Sequence, residues 1–254
     1  MTRGVAAFLI ISGWCSPAFA AFAQSTDTGR PISYGAEIAF RSGHADRGVL
    51  ISDRPVIQPV TWVAGSGAEF SLWSSFPLAA NTDRSRPEIL EMELTHGLQW
   101  NALTIGPAVR TYFYKDPASS YSTRSIEGWL YLSLAAGPFL LFTNHSLDVL
   151  TYKGAYFGEA GIAAERAVSQ RVAIGGLVGA GWASATFNEA FAGVATSALN
   201  RISAEGWLTA HVKPPFYIGS HIEFSTIVDP AVRSAPDLRR PTYVLVKLTT
   251  GGEF

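Results

Sequence analysis

Glutamates recur along this chain at alternating positions between apolar residues: Glu37, Glu69, Glu91, Glu93, Glu127, Glu159, Glu165, Glu205 and Glu223. Arg41, Arg110 and Lys247 share that placement, and His211 and His221 add two titratable rings. Carboxylates gathered on one face of extended chain can line a passage, favouring cations or polar neutral solutes over anions. They can also pair with the cations across a filled interior. Hydrolytic chemistry is harder to assemble, because it needs a Ser nucleophile beside a His base with an orienting acid or amide. His96 sits on an apolar face near Trp100 with no Ser two positions along, and adjacent His145 and Ser146 must face opposite ways. His44 with Asp46 reads as a solvated loop pair. A lipid-cutting enzyme would require a strand-end His and a Ser to meet across strands on the apolar face. No His/Glu spacing suggests a metal, and the reading assigns no catalytic residue and no cofactor.

The elements that position the glutamates are strands. Alternation of apolar and polar residues predicts twelve of them, at 32–41, 56–64, 68–76, 90–100, 103–114, 125–134, 139–147, 155–165, 172–182, 202–212, 216–226 and 242–254. Each has the length a tilted membrane strand needs. In the last, Val244, Val246, Leu248 and Phe254 share one face, the pattern of a C-terminal barrel-assembly signal, with Leu245 the misfit on the other. The connections alternate in length. Long ones (42–55, 77–87, 115–124, 148–154, 183–201, 228–241) carry every Asp after residue 31, and short ones (65–67, 101–102, 135–138, 167–171, 213–215) carry none. A soluble sandwich has no reason to sort its loops so. An outer-membrane barrel does, with long outer loops and tight periplasmic turns. Aromatic residues mark two levels, Phe40, Phe76, Phe113, Trp182 and Phe224 at one, Tyr34, Phe70, Trp100, Phe216 and Phe254 at the other. The expected fold is therefore all-β: a closed antiparallel transmembrane β-barrel of about 12 strands, an up-and-down meander over 32–254.

Composition agrees. The formal net charge of −1 offers nucleic acid nothing. No apolar run reaches the roughly 18 residues of a spanning helix beyond the N-terminal segment. The nearest candidate, 172–187 with Gly175 and Gly179, is penalised as a helix by its glycines. Residues 1–23 have one charge (Arg3), an apolar run and two Ala-Phe-Ala boxes, the layout of a secretory signal peptide cleaved after Ala20 or Ala23. Residues 24–31 then form a short periplasmic leader. Cys15 lies inside the signal, so no disulfide framework is expected.

Arg47-Gly48 with Ser52, Pro55 and Gln58 resembles a pattern of proteobacterial porins. So do Gly181-Trp182-Ala183-Ser184 leading into Phe187-Asn188-Glu189-Ala190-Phe191-Ala192-Gly193, and Ser225-Thr226-Ile227-Val228-Asp229. Over most of the chain the sequence is similar to the TorF-type porins and related small outer-membrane β-barrels. The resemblance implies a passive pore and carries over no catalytic residue.

The expectation is a narrow passive channel for small polar or cationic solutes in a Gram-negative outer membrane, with both termini periplasmic. Its partners would be outer-membrane lipids and lipopolysaccharide, the barrel-assembly machinery during insertion, and small solutes. Trp73, Tyr112, Trp129 and Trp207 would narrow the passage. Arg47, Arg54, Arg84, Arg86, Arg124, Arg201, Arg233, Arg239 and Arg240 fall in or beside the long loops, where they could meet phosphate headgroups. The alternative is a non-conducting structural or surface-interaction barrel; a lipid-modifying enzyme ranks behind both.

Overall fold

A computed structural model describes residues 32–78, 89–115, 122–236, 238 and 240–254. The expected signal segment and leader lie outside the described residues, as do Asp83, Arg84, Arg86, Asp116, Asp237 and Arg239.

Side chains alternate across a strand, so a period-two sequence offers one face to lipid and keeps the other from it. The chain forms β1 (Ile32–Arg41), β2 (His44–Asp46), β3 (Val49–Ser52), β4 (Val56–Gly65), β5 (Ala68–Pro77), β6 (Ile89–His96), β7 (Leu98–Trp100) and β8 (Leu103–Lys115). β9 (Ser122–Ala136), β10 (Phe139–Asp148), β11 (Tyr156–Ala167), β12 (Val172–Ala183), α1 (Ala185–Ala192), β13 (Ala198–Lys213), β14 (Phe216–Ile227), α2 (Pro230–Arg233) and β15 (Thr242–Glu253) follow. Apart from the separate β2–β3 hairpin, each strand pairs antiparallel with its neighbour in the chain. β6 and β7 both pair with β8, as two pieces of one strand interrupted at Gly97. The sheet closes where β1 meets β15, from Gly35 opposite Glu253 to Arg41 opposite Lys247. The result is a closed twelve-stranded up-and-down barrel.

The distribution of polarity is inverted relative to a soluble protein. Leu94 and Val178 are 56% and 57% exposed on the outer wall, while Glu127 and Glu223 are each 1% exposed inside. No helix among the described residues is long and apolar enough to cross a membrane. The strands are the elements of the right length.

Phe254 seals the seam. Its backbone exchanges hydrogen bonds with Tyr34 (2.8 and 3.1 Å). Its ring stacks on Tyr34 at 5.7 Å and meets Phe216 edge-on at 5.9 Å. Gly252 leaves room beside it, since a Cβ there would come within 3.1 Å of the Phe216 ring and push it by a few tenths of an ångström. Val244, Val246 and Leu248 face outward with it, all exposed. Aromatic pairs of this kind contribute about 0.5–1.5 kcal/mol each beyond area burial. Phe254→Ala should therefore lower the urea midpoint of the refolded barrel, read by tryptophan fluorescence; an unchanged midpoint would show that the terminal ring does not hold the seam.

The long connections differ from the sequence expectation of plain loops. Residues 183–201 contain α1, capped by Ser184, whose hydroxyl accepts from Phe187 N at 3.2 Å, and by Gly193. Residues 198–201 already belong to β13. Residues 228–241 contain α2, started by Asp229 and Pro230, a capping residue with proline at the first turn. The β2–β3 hairpin packs Ala45 and Leu50 onto Tyr243 and Leu245 of β15, so the Leu245 that broke the alternation is the hairpin's seat. Val49, Ala192, Ile227, Val232, Ala235 and Leu238 join in a second apolar cluster. The hairpin and both helices thus consolidate at the long-loop end.

Candidate functional site

The hairpin turns on Arg47 and Gly48, both with positive φ (47° and 90°), as a two-residue turn joining antiparallel strands requires. Gly48 suits the position, and a Cβ on it would meet Arg201 Cδ at 2.9 Å. A left-handed arginine is strained, so its surroundings must hold it. They do. Arg47 binds Asp46 through Nη2 at 2.9 Å and Nε at 3.0 Å, and reaches Glu127 on β9 through Nη1 at 2.6 Å and Ser146 on β10 at 3.3 Å. Its guanidinium also lies over the Phe187 and Phe191 rings of α1, at 5.0 and 5.2 Å. Burial opposes the charge, but Asp46 and Glu127 outweigh it and hold Arg47 protonated well beyond the ordinary arginine range. One residue therefore ties the hairpin, the wall and α1 together.

The other interior charges form further nodes. Arg110 contacts Glu93 at 2.7 Å, Glu91 at 3.2 Å and Tyr131 Oη at 2.9 Å, with its guanidinium 4.1 Å over Trp129. Glu127 also accepts from Tyr112 and from Trp129 Nε1, both at 2.8 Å. Arg201 pairs with Glu159 at 2.5 Å, Arg41 with Glu223, and His221 with Glu205 at 2.9 Å. Toward the short-turn end, Tyr217 donates to Glu37 (2.8 Å) and Trp207 to Glu165 (2.7 Å). There His211 stands 6.3 Å from Tyr217 between ring centroids. Lys247 lies opposite both Arg41 and His221 in the ladder, and Glu69 is buried opposite Thr95. Most of these interior charges are drawn into pairs.

Several residues that sequence reasoning placed elsewhere join them. Arg47 and Arg201 were expected among headgroup-facing loop arginines; both are buried inside, Arg47 on the turn of the hairpin beside Glu127 and Arg201 on β13 beside Glu159. His44 and Asp46, read as a solvated pair, are buried with the hairpin. Burial first, and Arg41 second, push His44 down to about 3 against the pull of Asp46. Asp148, counted as a loop residue, closes β10 and accepts from Ser125 (2.5 Å) and Tyr112 (2.8 Å). The Arg47-Gly48 dipeptide just before the apolar Val49-Leu50-Ile51 was the available signal of a hairpin. Between Asp46, Trp73, Glu91, Arg110, Tyr112 and Glu127 remains a cavity of about 10 Å³, on the order of one water. Around this cavity the interior is charged and paired. Among the described residues no group of His, Cys, Asp and Glu is placed to hold a metal ion.

No family model matches the chain, and curated protein sequences give no match. Solved structures do. A NanC porin superposes with a TM-score of 0.52 at 11% identity, covering 86% of this chain and 98% of that one. A KdgM porin determined with disordered oligogalacturonate gives 0.48 at 8% identity, over 87% and 98%. An outer-membrane channel of Pseudomonas putida F1 gives 0.49 at 8% identity, over 87% and 95%. The chain has the barrel fold of outer-membrane porins.

Proposed function

We propose that this chain is a narrow passive channel of the Gram-negative outer membrane for small polar or cationic solutes, with both termini periplasmic. Its long-loop mouth is narrowed by the β2–β3 hairpin. The carrying observation is an interior lined along its whole height by carboxylates that outnumber the arginines and lysine among them, inside an apolar outer wall. The fold shared with porins and the motif resemblance to the TorF type support the same reading. Outer-membrane lipids, lipopolysaccharide and the assembly machinery would be its partners through the apolar belt and the terminal strand. A second reading, a non-conducting barrel, draws on the seal around Arg47 and Glu127.

Refolded protein in planar bilayers under a potassium chloride gradient should show small channel steps whose reversal potential lies on the cation side. Anion preference would overturn the polarity. An absence of steps both in this protein and in a variant with the hairpin released would favour the non-conducting barrel.

A further inference from the structure

On the outer wall across β10, β11 and β12, four polar side chains make one chain of hydrogen bonds. Trp182 Nε1 donates to Tyr156 Oη at 3.2 Å. Tyr156 Oη lies 2.8 Å from His145 Nδ1, and His145 Nε2 lies 3.1 Å from Thr143 Oγ1. Thr143 Oγ1 also stands 2.8 Å from the carbonyl oxygen of Glu159. The His145 ring stacks on Tyr156 and meets Trp182 at an edge, both at 6.1 Å. The strand register puts this group outside: Asn144 and Ser146 are buried inward, while Leu141 and Leu147 share the outer face with Thr143 and His145. Leu130, opposite His145 in the ladder, and Ile162 complete an exposed apolar surround.

A titratable ring on a lipid-facing wall is expensive where leucine would serve, so such residues mark function. His145 lies three residues from the end of β10 at Asp148. At about 3.3 Å per residue and a tilt near 45°, that is roughly 7 Å below the end of the strand, on the side of the long loops.

We infer that Thr143 and His145 form an acyl-ester hydrolysis site on the lipid face, with Tyr156 and Trp182 as positioning residues and a membrane-lipid acyl ester as substrate. The Thr143 hydroxyl turns from the Glu159 carbonyl to His145 Nε2. As Oγ1 attacks the ester carbonyl carbon, its proton passes to Nε2. The imidazolium returns that proton to the departing alcohol oxygen as the ester C–O bond breaks, leaving the acyl group on Oγ1. Water, giving a proton to the same Nε2, then attacks the acyl-threonine; the fatty acid leaves and Thr143 recovers its proton. Nδ1–H of His145 donates a hydrogen bond to Tyr156 Oη, so that Nε2 is the free base, and Trp182 fixes the phenol. Sequence reasoning sought a serine and so passed over a threonine two positions from the histidine.

The refolded full chain is inserted into phosphatidylethanolamine–phosphatidylglycerol vesicles, and separately into vesicles containing lipopolysaccharide, with released fatty acid measured by mass spectrometry. Release in either is expected, and the productive vesicle identifies the acyl source. His145→Ala and Thr143→Val should each lose about 100-fold or more, Thr143→Ser should retain activity, and Tyr156→Phe should shift the pH of half-maximal rate. Far-UV circular dichroism on the same samples shows that the barrel is folded. No release in either vesicle, or release by His145→Ala equal to the parent's, overturns the site and leaves the channel reading untouched.

Discussion

Arg47→Ala should open the long-loop mouth, raising single-channel conductance severalfold over the parent protein. The substitution leaves Asp46 and Glu127 buried without their cation. Removing one partner of a buried pair costs about 3–5 kcal/mol. Here the loss falls on the seating of the hairpin, because the barrel ladder makes no use of Arg47. The rings of Phe187 and Phe191 lose their cation at the same time, which loosens α1. Ala45→Cys reports the movement directly. The sequence has a single Cys, Cys15, in the segment expected to be a signal peptide, and Ala45 is 1% exposed. A thiol reagent should modify that cysteine slowly in the parent and rapidly beside Arg47→Ala. Glu127→Gln breaks the same bond from the wall and should act in the same direction. The double variant should then show less than the sum of the two. Equal conductance and equal labelling in all of these would show that the hairpin is not the closure.

Acid should release the same hairpin by another route. His44 is fully buried beside Trp73, 5.5 Å between ring centroids, with Arg41 opposing its charge and Asp46 favouring it. Seated, it stays neutral down to about 3; unseated in water, it protonates near the ordinary value of about 6.5. A base whose value is lowered in the folded arrangement gives full seating above 6.5. Below that the released hairpin binds a proton that the seated one refuses. Seating therefore weakens by up to about 1.4 kcal/mol for each unit of pH between 6.5 and 3. Conductance should rise across that window as pH falls. In His44→Gln the rise should start only where carboxylates themselves protonate, since Asp46 and Glu127 act alike in both proteins. Coincident pH profiles for the two would remove His44 from the closure.

The strands were legible because two solvents act on them. Lipid outside and polar groups inside impose a period of two that survives in the sequence. That alternation puts Glu37, Glu69, Glu91, Glu93, Glu127 and Glu223 opposite the apolar residues of their strands. Boundaries such as the starts of β1, β4 and β5 could be placed nearly to the residue. The pairing of β1 with β15 follows from closure of an even meander, and the structure shows it. Departures from the pattern were informative too. Leu245 broke the alternation because it faces Leu50 of a hairpin that returns inside.

Where the loops go was not legible. Nothing in 42–55 or 183–201 repeats, and a short hairpin or an eight-residue helix can sit in solvent or in a barrel with the same local sequence. Only packing against Tyr243, Ile227 and Val232, and the meeting of Arg47 with Glu127 across 80 residues of chain, decides between them. The outer-wall alignment of Thr143, His145, Tyr156 and Trp182 depends likewise on strand register, which pairs His145 with Gly158 and Gly158 with Trp182. The sequence by itself determined a membrane barrel with a charged interior, because each strand carries that information in its own alternation. The tertiary structure alone decided that the interior charges are paired and that the hairpin packs against the wall, because ion pairs and tertiary packing join residues that no local pattern connects.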